Sequence, residues 1–351
     1  MNRRSLSSIV ACVLLVGLFV VAAMMPVPYV TMSPGPTVDV LAERKGEEIV
    51  QIDGQRTYET DGRLELTTVS VTSPGQPLTL VEAMAAWFDQ TRAVYPRDAI
   101  YPPDQSVEEV ERENSVQMVS SQDTAVAAAL TELGYELEGV VEVLGVTQGA
   151  PADGKLQVRD KILRVNGVKI TDAESVAKAV QRTGVGGTAT FRIRRDGKLR
   201  TVELKTQAAE DDPGRAIVGV VIGQGFDFPF DVSVNISDRI GGPSAGLIFS
   251  LAVYDKLTPG SLVEEVDVAG TGTITAKGVV GPIGGIQQKI VAAADNGADL
   301  FLVPPGNCEA ALEAEIDEEE ITLVRARTLH SAVESITAYT EGATDDLPSC
   351  G

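Results

Sequence analysis

Ser244 in "GGPSAG" (241–246) and Lys289 in "GPIGGIQQKIVAA" (281–293) have the types and settings for acyl-transfer chemistry in this 351-residue chain. A serine hydroxyl is a weak nucleophile until a base takes its proton, and a lysine becomes that base when burial disfavours its charge. Upstream of Ser244, "FDVSVNISDRI" alternates like a strand; downstream, "LIFSLAVYDKL" is apolar enough for a core helix. Gly242 and Pro243 supply the turn, and Pro243 suits the first position of a helix. Helical spacing puts Ile286, Lys289, Ile290 and Ala293 on one face, with the lysine at the edge of an apolar stripe. Each feature alone has a plainer explanation: small residues packed at a helix start, and a lysine reaching along an apolar surface to water.

Other chemistries are excluded by what the chain lacks. Its single histidine, His330 in "RTLHSAVESI", suits a surface or packing role on a helix better than a catalytic triad. There is no His-Glu-x-x-His and no Cys-x-x-Cys, so no metal is expected. There is no Gly-x-x-x-x-Gly-Lys-Ser/Thr loop, so neither a nucleotide nor any other cofactor is expected. The formal net charge of −21 argues against nucleic acid as a partner, since phosphate binding needs clustered Lys and Arg.

The elements that must position these residues begin with an apolar run. No charged residue stands between Arg4 and Asp39, and "IVACVLLVGLFVVAAMM" continues through "PVPYV". This predicts a single-pass signal-anchor over residues 1–30, with Tyr29 at the interface and a membrane partner through the N-terminal helix. Arg3 and Arg4 orient it, N-terminus in the cytoplasm and everything after residue 30 outside the cell membrane. A signal peptide cleaved after Val21-Ala22-Ala23 is the rival. Residues 31–136 form an N-terminal exported region, with a strand at "GRLELTTVSV" and a helix from Ser106 to Leu133 interrupted near "SSQD". Residues 208–216, "AAEDDPGRA", read as a linker, and 341–351 as an acidic tail. Cys308 and Cys350 fall on the exported side, where thiols oxidise, and are predicted to form a disulfide.

Residues 137–207 contain "APADGKLQVRDKILRVNGVKITDAESVAKAV", which resembles a bacterial PDZ domain. That resemblance implies a groove that takes an extended peptide by strand addition. On this chain it is expected along Val140 and Val141 to Val146, with Leu137, Glu138 and Gly139 as the carboxylate loop. "GGPSAGL" and "GTGTITAKGVVGPIGGIQQKIVAA", within residues 217–340, resemble the proteolytic domain of the Lon family (S16). The resemblance implies Ser244 as nucleophile, Lys289 as general base and Thr271 as the hydroxyl that orients the amine. It departs at Gly241-Gly242, where Asp-Gly is usual, and at Gln287 and Gln288, where charged residues are usual.

The whole arrangement is similar to the membrane-anchored PDZ-Lon peptidases of Gram-positive bacteria. The implied fold class is α+β: a transmembrane helix, a PDZ domain and a Lon-type domain of the ribosomal S5 domain 2-like kind. The implied activity is ATP-independent serine endopeptidase action on a polypeptide substrate, a secreted peptide or membrane protein, by an extracellular catalytic domain. The alternative is a catalytically silent PDZ scaffold at the cell surface.

Overall fold

Pro26 and Pro28 decide how far the N-terminal apolar run stays helical. In the computed structural model, residues 3–44, 46–73, 75–102, 105–237, 240–317 and 320–351 are described, with side chains from Ser7 onward. The first helix, Arg3–Ala23 (α1), stops short of the prolines. Pro26-Val27 then pairs with Leu78-Thr79 as strand. Among the described residues no helix is long and apolar enough to cross a membrane, which overturns the expected transmembrane helix. The side chains of Arg3 and Arg4, which orient the expected span, lie outside the described residues.

Beyond α1 the chain builds a mixed α/β architecture on two six-stranded sheets. Tyr29–Asp39 (β1) and Arg63–Val71 (β2) pair antiparallel; the helix Leu80–Phe88 (α2) leads to Ala93–Pro96 (β3), on the outer edge of β1. A long helix, Val107–Glu132 (α3), comes next. The second sheet then forms from Glu138–Val146 (β4), Lys161–Val165 (β5), the helix Ala173–Thr183 (α4), Thr188–Arg195 (β6), Lys198–Lys205 (β7) and Val220–Asp227 (β8). Its strand order is β7-β6-β5-β4-β8, and the two-residue strand Val168-Lys169 pairs with β5 as the sixth. The chain returns to the first sheet through Gly246–Leu257 (α5), Asp267–Gly270 (β9), Ile286–Asp295 (α6), Leu300–Val303 (β10) and Thr322–Arg325 (β11), then ends in Leu329–Thr340 (α7). The order there is β11-β10-β9-β2-β1-β3, with β2, β9, β10 and β11 parallel.

Residues 31–136 therefore share a sheet with the C-terminal part of the chain. The strand "GRLELTTVSV" is present as β2, but its neighbour β9 lies some 200 residues further on, as in the pair Arg63 and Asp267. A local alternation carries no address for a partner so distant. The helix at 107–132 is also continuous where an interruption is expected. Ser106 and Glu109 form a reciprocal capping box at its start. Ser121, Gln122 and Asp123 are buried on it and find partners in other elements, which offsets the burial of polar residues that would break an isolated helix.

Both faces of the first sheet are covered, as parallel strands require. On one face α5 is buried nearly all round, through Leu247, Ile248, Phe249, Leu251 and Val253, against Leu64, Leu66, Val268 and Leu302. On the other, Ile286, Ile290 and Ala293 of α6 pack on Ala269, Phe301 and Val303. The two helices that carry Ser244 and Lys289 at or near their starts thus lie on opposite faces, and meet only beyond the end of β9.

Candidate active site

Strand β9 ends at Gly270, and Thr271 and Gly272 turn out of the sheet. Ser244 lies just ahead of α5, and its carbonyl accepts from Gly272 N–H (2.9 Å) and Thr271 Oγ1 (3.0 Å). Two chain segments are thereby pinned together at Ser244. Pro243 is held from a third side, its carbonyl accepting from Ser121 Oγ of α3 at 3.0 Å. Gly242 N–H is donated to Asn114 O at 3.2 Å, so it is engaged with α3 rather than open to a substrate.

Lys289 enters from the far face. Its helix starts after Gly285, which has φ +68° and would place a Cβ 2.7 Å from Met32 Sδ and Val69 Cγ1. Only glycine meets both the left-handed backbone and that close approach. One turn later Lys289 Nζ lies 2.9 Å from Ser244 Oγ and 2.9 Å from Thr271 Oγ1. Thr271 commits its hydroxyl hydrogen to the Ser244 carbonyl, so its oxygen is left to accept from Nζ. The lysine is 2% exposed, and burial pulls its pKa down to about 8. Among the described residues lining the cleft, no carboxylate balances it.

The cleft has a volume of about 1180 Å³, with Ser244 and Lys289 in its wall beside Met118, Ile240 and Thr67 to Val71 of β2. Pairing of β2 with β9 stops at Leu66 and Gly270, so residues 67–71 run on past the last ladder partner on that side. An extended chain laid there would have a strand to pair with and the serine beside it.

The expected PDZ groove is placed differently. Leu137 packs on the core of the first sheet, and Glu138, Gly139, Val140 and Val141 belong to β4. That strand pairs over its whole length with β8, from Glu138 opposite Asp227 to Val146 opposite Val220. A peptide could add there only by displacing β8. The strand left at the sheet edge is β8 itself, with α4 packed beside it. The turn before β8 is Val218-Gly219, in which Gly219 has φ +76° and would place a Cβ 2.1 Å from Ala150 Cβ. "IVGVV", lying past the linker, carried the signal: a glycine between branched residues at a strand start. Both strands share one apolar alternation, so local pattern could not choose between them.

His330 stands apart, exposed on α7, with Nδ1 2.7 Å from Glu132 Oε1. Cys308 and Cys350 are joined by a disulfide that closes a 42-residue separation. Among the described residues no group of carboxylates, histidines and cysteines could hold a metal ion.

Residues 106–206 match the family described as PDZ domain, a range that takes in α3 as well as β4 to β7. Residues 238–336 match the Lon protease (S16) C-terminal proteolytic domain. Lon protease of Phenylobacterium zucineum is 37% identical over 97 residues, covering 27% of this chain and 12% of that protein. Lon protease 2 of Bacillus subtilis is 35% identical over 98 residues, covering 27% and 17%. Lon protease 3 of Sorangium cellulosum is 28% identical over 221 residues, covering 59% and 25%. The chain thus spans a quarter or less of the length of these curated relatives. Solved PDZ domains of SdrC-like proteins from Listeria innocua and Listeria monocytogenes align at 23% and 20% identity, each over 24% of this chain, covering 93% and 86% of those chains with a TM-score of 0.22. Sequence similarity and geometry meet on one conclusion: the chain carries a PDZ domain followed by a proteolytic domain of the Lon (S16) serine-peptidase type.

Proposed function

We propose that this protein is a serine endopeptidase in which Ser244 and Lys289 act as a nucleophile–base pair. The observation that carries the reading is a buried lysine amine 2.9 Å from the serine oxygen, with the Thr271 hydroxyl on its other side. Neutral Lys289 takes the Ser244 proton as Oγ bonds to the scissile carbonyl carbon. The oxyanion forms at the start of α5, where helix N–H groups favour negative charge. Collapse breaks the C–N bond, and the Lys289 ammonium returns its proton to the leaving amine. Water then attacks the acyl-serine with Lys289 again as base. A silent scaffold has no use for an uncompensated buried lysine, which disfavours the alternative.

The substrate in this reading is an unfolded or extended polypeptide, paired against residues 67–71 of β2, with a second segment held between β8 and α4. The disulfide supports work outside the reducing cytoplasm. Cleavage needs neither metal nor nucleotide, because the amine already supplies the base. The test is degradation of unfolded casein by purified protein in EDTA without nucleotide. Wild type cleaves, whereas Ser244→Ala and Lys289→Arg each lose about a thousandfold or more, since arginine keeps its proton. Substantial activity in Lys289→Arg sinks the pair.

A further inference from the structure

A buried amide outside the pair has both of its polar atoms spent on one backbone residue. Asn307, 8% exposed, ends the turn Pro305–Asn307. Its Oδ1 accepts from Ile283 N–H at 2.9 Å, and its Nδ2 donates to the Ile283 carbonyl at 2.9 Å. Its own N–H is donated to Pro304 O at 2.9 Å, which sets the turn. Gly306 lies against Pro282, where a Cβ would come within 3.1 Å of Pro282 Cβ. Cys308, the next residue, is tied by the disulfide to Cys350. The clamp is therefore anchored at its own base.

What it clamps is the segment leading to Lys289. After Thr271 the chain makes a short hairpin, Thr273-Ile274 against Val280-Gly281, and α6 starts at Ile286. Residues 282–285 lie between these two regular pieces. They are fixed at Gly285, by its seat on Met32 and Val69, and at Ile283, by Asn307. Lys289 N–H is donated to Gly285 O at 3.1 Å, so any shift of this segment passes directly to the lysine. A displacement of about 1 Å is enough to break a contact of hydrogen-bond length and to cost rate heavily.

We propose that Asn307 is a positioning residue for the lysine base: by holding both backbone groups of Ile283 it sets the start of α6, and so keeps Nζ between Ser244 Oγ and Thr271 Oγ1. The inference rests on the Ser244–Lys289 reading. A primary amide offers one donor and one acceptor face, which aspartate and alanine do not. Asn307 itself does not line the cleft. The groups facing the amine are the Ser244 and Thr271 hydroxyls, and among the described residues Arg44 is the other ionisable side chain lining the cleft.

The test is steady-state cleavage of a short fluorogenic peptide from pH 6 to 10 by wild type, Asn307→Ala, Asn307→Asp and Lys289→Arg, with a thermal melt of each. Asn307→Ala is expected to lower kcat about tenfold or more, with KM within about twofold. It should also move the midpoint of the rising pH limb upward, because a displaced amine regains water. Asn307→Asp keeps the acceptor and falls between. A folded Asn307→Ala with wild-type kcat and midpoint overturns the proposal. Should the alanine variant not fold, a wild-type kcat and midpoint in Asn307→Asp overturns it equally. An active Lys289→Arg overturns the pair, and this inference with it. An inactive Lys289→Arg beside an unchanged Asn307 variant overturns this inference alone.

Discussion

A lysine that serves as a base must be unstable in its charged form, and that requirement has two measurable consequences. Burial brings Lys289 to about 8 from an ordinary 10.5, so cleavage should rise with pH through a midpoint near 8 and level off above it. Below that midpoint the amine is an ammonium and cannot take the serine proton. The same shift weakens the fold at neutral pH. Unfolded, the lysine holds its proton up to 10.5, so the penalty is full below about 8 and disappears as pH rises through 10.5. Lys289→Met should therefore abolish cleavage yet raise stability at pH 7 by about 2 kcal/mol, a gain that is gone by about pH 10.5. Urea denaturation at both pH values checks it. A methionine variant weaker than wild type at pH 7 would mean that the two hydroxyl contacts outweigh the burial.

At the scale of elements, α3 joins the two sheets. It touches the serine turn through Ser121 and Asn114, and reaches the second sheet through Gln122 and Asp123. Arg159, in the left-handed region at φ 70°, donates from its guanidinium to Gln122 Oε1 at 3.0 Å and lies 3.3 Å from Asp123 Oδ1. Glu142 of β4 faces the Asp123 carboxylate, and both are almost fully buried. Burial first, and the Asp123 charge second, push Glu142 up to about 7, while Arg159 and Lys161 oppose that rise. The folded state therefore holds a proton that the unfolded chain releases near 4.5. Its contribution is complete below 4.5 and is lost as pH rises through about 7. Glu142→Gln should remove that slope, worth about 2 kcal/mol between pH 5 and 7.5, and match or exceed wild type at pH 7.5. Thermal melts at the two pH values decide it; an unaltered slope would show that Glu142 takes up no proton on folding.

The molecule as a whole is closed at its C-terminal end. The acidic tail returns along the first sheet, with Arg325 N–H donated to Pro348 O at 2.7 Å, and Cys350 is bonded to Cys308. Tying ends 42 residues apart mainly restricts the unfolded chain, so Cys350→Ser should cost about 2–4 kcal/mol in non-reducing urea melts. Equal midpoints for the two proteins would show that the tail adds no constraint. The PDZ domain cannot be excised cleanly between its expected limits, because β8, the strand that completes its sheet, lies on the far side of the linker.

By itself, the sequence located the candidate chemistry and its chain positions. Ser244, Thr271 and Lys289 stand in short segments whose turns, glycines and helical spacing are local matters, decided within about ten residues. The Asn166-Gly167 and Asp196-Gly197 turns are local in the same way, and both pairs take positive φ. Only the tertiary structure decided which strands neighbour one another. Pairing β2 with β9, and β4 with β8, depends on surfaces that meet far apart in the chain, and an apolar alternation is the same whichever partner it finds. The N-terminal run differed for a related reason. Its apolar composition continues past Ala23, but proline geometry and a pairing with Leu78-Thr79 turn the chain into strand. Asn307 too was invisible in the sequence, because its role lies wholly in a contact with a backbone 24 residues away.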